Sequence, residues 1–158
     1  MLAMLLLAGP PSGAKPGGYL LLLRGLKPIA LECRVTSVPA PAERAPAPAE
    51  HELCDATALE LRAANIPVTD DPKKAVAWLN VRVSSFVLPT DRQRCLGSVT
   101  LAVSALVMVI ETKRYGRADL YNFDVPVNVP CSQVVADHST ALSMLLKAFV
   151  NEYVSQNR

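Results

Sequence analysis

The sequence predicts an α+β fold: a mainly antiparallel four-stranded sheet with two helices packed on one face, in the order β-α-β-β-β-α. Three observations carry this expectation. Four segments alternate apolar and polar residues with a period of two. Two others repeat apolar residues at helical spacing, and the last three strands follow one another with no helix between them.

Ile29 to Val38 alternates, with Ile29, Leu31, Cys33 and Val35 on one face and Glu32, Arg34 and Thr36 on the other. That is a half-buried strand. Residues 37–50 are a Pro/Ala-rich stretch holding Pro39, Pro41, Pro46 and Pro48, which reads as an extended surface loop because proline removes donors from helix and sheet interiors. Glu50 to Asn65 is helical, and its apolar residues fall into two competing phases. One phase is Leu53, Ala56, Leu59 or Glu60, and Ala63; the other is Cys54, Ala58 and Leu61. Glu50, Glu52 and Asp55 at its start and Arg62 at its end suit the helix dipole, and Pro67 stops it. Asp70-Asp71-Pro72 reads as a turn, since paired aspartates beside proline usually bond nearby backbone amides.

The second strand, Ala77 to Val87, points Leu79, Val81 and Val83 inward and Trp78, Asn80, Arg82 and Ser84 outward. The third, Gly97 to Glu111, aligns Val99, Leu101, Val103, Ala105, Val107 and Val109 on one face, while Leu106, Met108 and Ile110 imply cover on the other face near its end. Thr112 to Arg117 supplies a turn. Tyr121, Phe123, Val125, Val127 and Val129 form the core face of a fourth strand, and Pro126, which lacks an amide donor, places that strand at an edge. Ser132 is the expected N-cap of a second helix whose apolar stripe is Val135, His138, Leu142, Leu145, Phe149 and Tyr153.

Residues 1–14 have the pattern of a signal peptide, with an apolar core from Leu2 to Ala8 and the small triplet Ser12-Gly13-Ala14 before the expected cleavage point. Residues 15–28 then form an N-terminal extension and 29–158 a single domain, of periplasmic or secreted location. Stable membrane insertion is not expected, because Lys15, Arg24 and Lys27 interrupt every apolar run before it reaches the roughly 20 residues of a span. Pro10 occupies the place where a lipoprotein would need cysteine after Leu7-Ala8-Gly9. In an exported chain four cysteines imply two disulfides. Cys95 opens the third strand and Cys131 closes the fourth, so an antiparallel hairpin brings them together; Cys33 and Cys54 remain to tie the first strand to the first helix.

With 16 basic against 14 acidic residues the net charge is only +2, and aromatics make up 5%, so neither a polyanion partner nor a stacking platform for bases is expected. No nucleotide, hydrolase or metalloprotease motif occurs. Two histidines and no Cys-x-x-Cys give no metal-ligand spacing, and no cofactor is implied. Asp137-His138-Ser139 cannot act as a triad, because consecutive helical residues point roughly 100° apart. His138 reads as a half-buried structural residue with its nitrogens satisfied. The competing reading is a small exported enzyme whose site is assembled from His51, His138 and carboxylates.

The stretch Leu59-Glu60-Leu61-Arg62-Ala63-Ala64-Asn65-Ile66-Pro67-Val68-Thr69-Asp70-Asp71-Pro72, followed by Ala77-Trp78-Leu79-Asn80-Val81-Arg82-Val83, resembles an LRxAGIxV…LxVxV pattern of exported bacterial proteins. Asn65 stands where that pattern has glycine, and Asn is the residue that next best tolerates a left-handed helix end. The element order is similar to the amino-terminal domain of the Tol-Pal propeller and to the lipopolysaccharide-assembly lipoprotein. This resemblance implies a non-enzymatic accessory or binding module of the cell envelope with a protein partner. Trp78, Asn80 and Arg82 are the expected binding surface.

Overall fold

The computed structural model describes residues 23–37, 43–109 and 113–158. The expected signal peptide, the expected N-terminal extension as far as residue 22, and residues 38–42 of the Pro/Ala stretch lie outside the described residues. The elements are β1 (Ile29–Ser37), α1 (Glu50–Ala63), β2 (Val68–Thr69), β3 (Ala77–Leu88), β4 (Asp91–Val109), β5 (Arg114–Pro130) and α2 (Val134–Gln156).

The class is α+β with two helices, but the sheet differs from the expected one. It has five strands in the order β2-β1-β3-β4-β5 and is mixed. β1 runs parallel to β3 from Ile29↔Ala77 to Ser37↔Ser85, and parallel to β2 through Ile29↔Val68 and Ala30↔Thr69; the β3–β4 and β4–β5 pairs are antiparallel. The cause is the helix between β1 and β3. A chain that leaves one end of a strand and returns across the sheet face through α1 starts its next strand at the original end, so the two strands run parallel. Two residues of β2 are too few for period-two alternation to reveal.

Both helices lie on one face and close a core with the inward residues of the sheet. Leu79, Val81, Val83, Val99, Leu101 and Val103 are all fully buried, as is Phe149 of α2. In α1 the buried stripe takes Leu53 from the first phase and Ala58 and Leu61 from the second, with Thr57 between them, and Leu59 is 70% exposed. The Cys33–Cys54 disulfide, with its Cα atoms 5.6 Å apart, fixes that rotation by tying α1 to β1. Cys95–Cys131 joins the strand ends at 4.9 Å between Cα atoms. Asn65, just past α1, adopts φ 58°, the left-handed helix end that Asn accepts better than most residues.

The second helix begins later than Ser132. Cys131 N–H donates to the Gln93 carbonyl and Gln133 N–H to the Pro130 carbonyl, so residues 131–133 form a turn and α2 starts at Val134 with no side-chain cap. At its other end α2 holds the incoming chain. Asn157 Nδ2 donates to the Leu23 carbonyl, Gly25 N–H donates to Asn157 Oδ1, and Tyr153 Oη donates to the Leu26 carbonyl. The β4–β5 ladder continues to Val109↔Arg114, whereas β4 pairs with β3 only as far as Ala105. The hairpin therefore overhangs the sheet. Leu106 and Met108 are 57% and 54% exposed there; they lie on the face away from the helices, where no layer of the described residues covers them.

Candidate functional site: the open sheet face

Register lays out the helix-free face in rows. Glu32 of β1, Asn80 of β3, Ala102 of β4 and Asn122 of β5 are neighbours in one row, and Arg34, Arg82, Thr100 and Asp124 in the next. Ala30, Trp78 and Ser104 form the row on the other side. Across these rows lies Arg117, whose side chain starts on β5 and reaches back to β1.

Arg117 Nε donates to Ser104 Oγ at 2.6 Å, and Nη1 and Nη2 donate to the two Glu32 carboxylate oxygens at 3.0 and 3.2 Å. The planar guanidinium thus meets the carboxylate as a fork, the geometry that makes such pairs directional. Its Cζ sits 4.7 Å from the centroid of the Trp78 ring, a cation–π arrangement. Asn80 completes the cluster. Every group is satisfied when its amide nitrogen donates to Glu32 Oε2 at 2.8 Å and its oxygen accepts from Arg117 Nη2 and the Ser104 hydroxyl, each at 3.2 Å. One cation therefore joins four strands.

The three residues expected to form the binding surface meet different fates. All lie on this face, yet only Arg82 is exposed. Asn80 is 6% exposed because Arg117 lies over it, and Trp78 is half-buried beneath the same guanidinium. Glu32, Ser104 and Arg117 were not singled out as site residues by the pattern of the sequence. Alternation did place Glu32 outward, but Arg117 looked like part of a turn, and nothing local signals a contact 85 residues away. In the next row Thr100 Oγ1 donates to Asp124 Oδ1 at 2.7 Å, and in the row beyond it the Ser84 and Ser98 hydroxyls lie 3.2 Å apart.

The histidines do not converge. His51 is exposed on the first turn of α1, while His138 is fully buried under α2. Neither ring nitrogen of His138 has a hydrogen-bond partner, so it is not the satisfied, half-buried residue that its place on the stripe suggested. Burial pushes its pKa below the ordinary 6.5, with the neighbouring Asp137 carboxylate partly opposing. The aspartate turn is structural: Asp71 Oδ1 accepts the Lys73 N–H at 3.0 Å, and Asp71 pairs with Lys74.

Of the concavities among the described residues, two border α1. A groove of about 380 Å³ runs between α1 and α2, and a cleft of about 440 Å³ beside β1 is lined by Glu32, Asp55, Arg62, Asp70 and Trp78, among others. Neither includes a histidine. Among the described residues no three His, Cys, Asp or Glu side chains gather as a metal site, and no helix is long and apolar enough to cross a membrane. Comparison of the chain with protein-family models and with curated proteins finds no match.

Proposed function

We propose that the chain is an exported, non-catalytic binding module of the cell envelope that holds a protein partner on its open sheet face around Trp78, Asn80 and Arg82. The observation that carries this reading is the Arg117 cluster. A sheet face without helical cover is held rigid by one cation bound to Glu32, Ser104 and Asn80 and packed on Trp78, so a partner finds its contact surface already ordered. Aromatic and arginine side chains on such a surface are where binding energy concentrates. Arg34 and Arg82, exposed and adjacent in register, add charge for orientation.

Export is supported by the two disulfides, which persist in oxidising compartments, together with the Leu2 to Ala14 pattern. The resemblance of Leu59 to Val83 to exported bacterial proteins, and of the element order to the Tol-Pal and lipopolysaccharide-assembly modules, supports an accessory role. Capture from envelope extract with the mature protein tests the surface. A partner retained by the native protein and lost by Arg82→Glu supports the reading, and capture indifferent to both Arg82→Glu and Trp78→Ala overturns it. Fractionation tests the compartment: the expected species is periplasmic or secreted with Lys15 at or near its N-terminus, and full-length protein in the cytosol rejects export.

A further inference from the structure

The groove between the helices is a second surface, on the opposite side of the sandwich from the open sheet face. Leu53, Ala56 and Leu59 of α1 and Val135, Leu142 and Leu146 of α2 supply its apolar lining. Two of these are exposed although hydrophobic: Leu59 at 70% and Val135 at 38%. Apolar side chains left open together, rather than scattered singly, mark places where something else is meant to sit.

The walls state what kind of occupant fits. Apart from Pro48 at one end, both are the flanks of α-helices, and beyond the first turns their backbone N–H and C=O groups are spent within the helices, so along most of its length the groove offers an incoming backbone no ladder of hydrogen bonds. An extended segment laid there would bury unpaired amides. A helix brings its own bonds and needs only an apolar stripe, as in other helix-in-groove complexes. Charge then sets the flank. Glu52 and Glu60 border the groove on the α1 side, whereas α2 contributes the neutral Ser139 and Ser143. Glu52 Oε2 accepts only the Ala49 N–H, and neither glutamate has a cationic partner among the described residues, where the ion pairs are Lys74–Asp71 and Arg117–Glu32. The two carboxylates, eight residues apart on α1, stand about two helical turns from one another along one wall.

We propose that the α1–α2 groove is a docking site for an amphipathic helix of a partner protein, apolar on the buried stripe and carrying Lys or Arg two turns apart on the flank that meets Glu52 and Glu60. This surface is independent of the open sheet face, and the test below reads it separately.

The probe is a fluorescein-labelled synthetic helix of Leu, Ala and Lys with one Leu stripe and a Lys flank, titrated with the full chain and followed by anisotropy. An isomer with the stripe scrambled and an analogue with Glu for Lys serve as controls. The expected result is binding of the cationic stripe peptide, weakened by at least about tenfold in Leu59→Asp, which puts a charge on the apolar lining. Combining Glu52→Gln with Glu60→Gln should weaken it roughly fivefold and flatten its salt dependence. Gln at 52 retains the acceptor that caps α1, and circular dichroism verifies that each variant is folded. Arg82→Glu, on the other face, should leave the titration unchanged. Equal binding of the acidic or scrambled peptide, loss of binding in Arg82→Glu, or indifference to Leu59→Asp overturns the proposal; so does absence of binding by the cationic stripe peptide.

Discussion

Arg117 and Glu32 lie 85 residues apart in the chain and meet in a two-pronged pair, at 3.0 and 3.2 Å, that spans the sheet from its far edge strand to β1. Both side chains are more than a third or close to a third exposed, so their Coulomb attraction is screened and worth little by itself. Their importance is positional. The guanidinium is what covers Asn80 and stacks on Trp78.

The two ends of this pair should therefore be unequal. Arg117→Ala uncovers the buried Asn80 amide and removes the bonds to Glu32, Ser104 and Asn80 together, and should cost about 2 kcal/mol, while Glu32→Ala takes one acceptor from the Asn80 amide nitrogen but leaves the cation in place over Asn80 with Ser104 and Trp78, and should cost about 1 kcal/mol. Urea unfolding of both single variants and the double variant gives the coupling, expected near 1 kcal/mol. Strictly additive effects would mean that the cluster is a coincidence of neighbouring side chains and not a unit.

The inward faces of β3 and β4 make a second comparison possible. Leu101 is fully buried whereas Leu106, five residues along the same strand, is 57% exposed on the overhanging hairpin. Leu101→Ala should cost roughly 3 kcal/mol, as truncations leaving a core cavity do, and Leu106→Ala less than about 0.5 kcal/mol. Thermal melts showing similar losses for both would contradict the uncovered outer face.

How much of this was legible follows from the range over which each signal acts. Period-two alternation located β1, β3 and the inner face of β4, because each side chain's burial there depends on its own strand alone. It failed where a second chain segment decides. The parallel pairing of β1 with β3 is a property of the connection through α1, the phase of α1 was ambiguous between Leu53-Leu59 and Cys54-Leu61 until Cys33 is placed opposite it, and the two-residue β2 has no pattern to read. The site was visible only as a direction. Alternation put Trp78, Asn80 and Arg82 outward, but the burial of Asn80 depends on an arginine two strands away. His138 was assigned satisfied nitrogens because buried polar groups generally have them, and the structure buries it fully with neither nitrogen bonded.

Gly97 offers a test of the close approach of β3 to β4. A Cβ added there would collide with the backbone carbonyl of Ser84 and press on Ser85, and backbone in a paired strand cannot step aside as a side-chain tip can. Gly97→Ala should destabilise by about 2 kcal/mol or more, in the range of overpacking, even though alanine is otherwise the mildest replacement. A melt within half a kcal/mol of the parent, on the order of a neutral surface change, would show that the strands separate freely at this point.

The disulfides should be unequal in a way set by loop length. Cys95–Cys131 closes 36 residues and Cys33–Cys54 closes 21; on the chain-entropy model these loops give about 4 and about 3 kcal/mol. Non-reducing peptide mapping should recover those two linked pairs, with no thiol available to an alkylating agent in the native protein. Paired Cys→Ser replacements should then lower stability in that order, and four alkylatable thiols in freshly isolated protein would sink both the pairing and the oxidising compartment.

His138 supplies the last expectation, a dependence of stability on pH. Its ring is fully buried with neither nitrogen bonded, and burial lowers its pKa from 6.5, so the folded state prefers the neutral imidazole. The unfolded chain then binds the extra proton first as pH falls. Stability from this group is complete above the unfolded value of 6.5 and is lost as pH drops from there toward the lower folded value, below which both states are protonated and no further loss occurs. Denaturant midpoints taken at intervals from about pH 7.5 down to about pH 4.5 should decline across this window more steeply in the parent than in His138→Leu, since carboxylates common to both contribute equally. The leucine variant, which removes two orphaned polar atoms from an apolar setting, should be as stable as the parent or more so at neutral pH. Parallel slopes in parent and variant would mean that the imidazole has found a partner or a solvent path in solution.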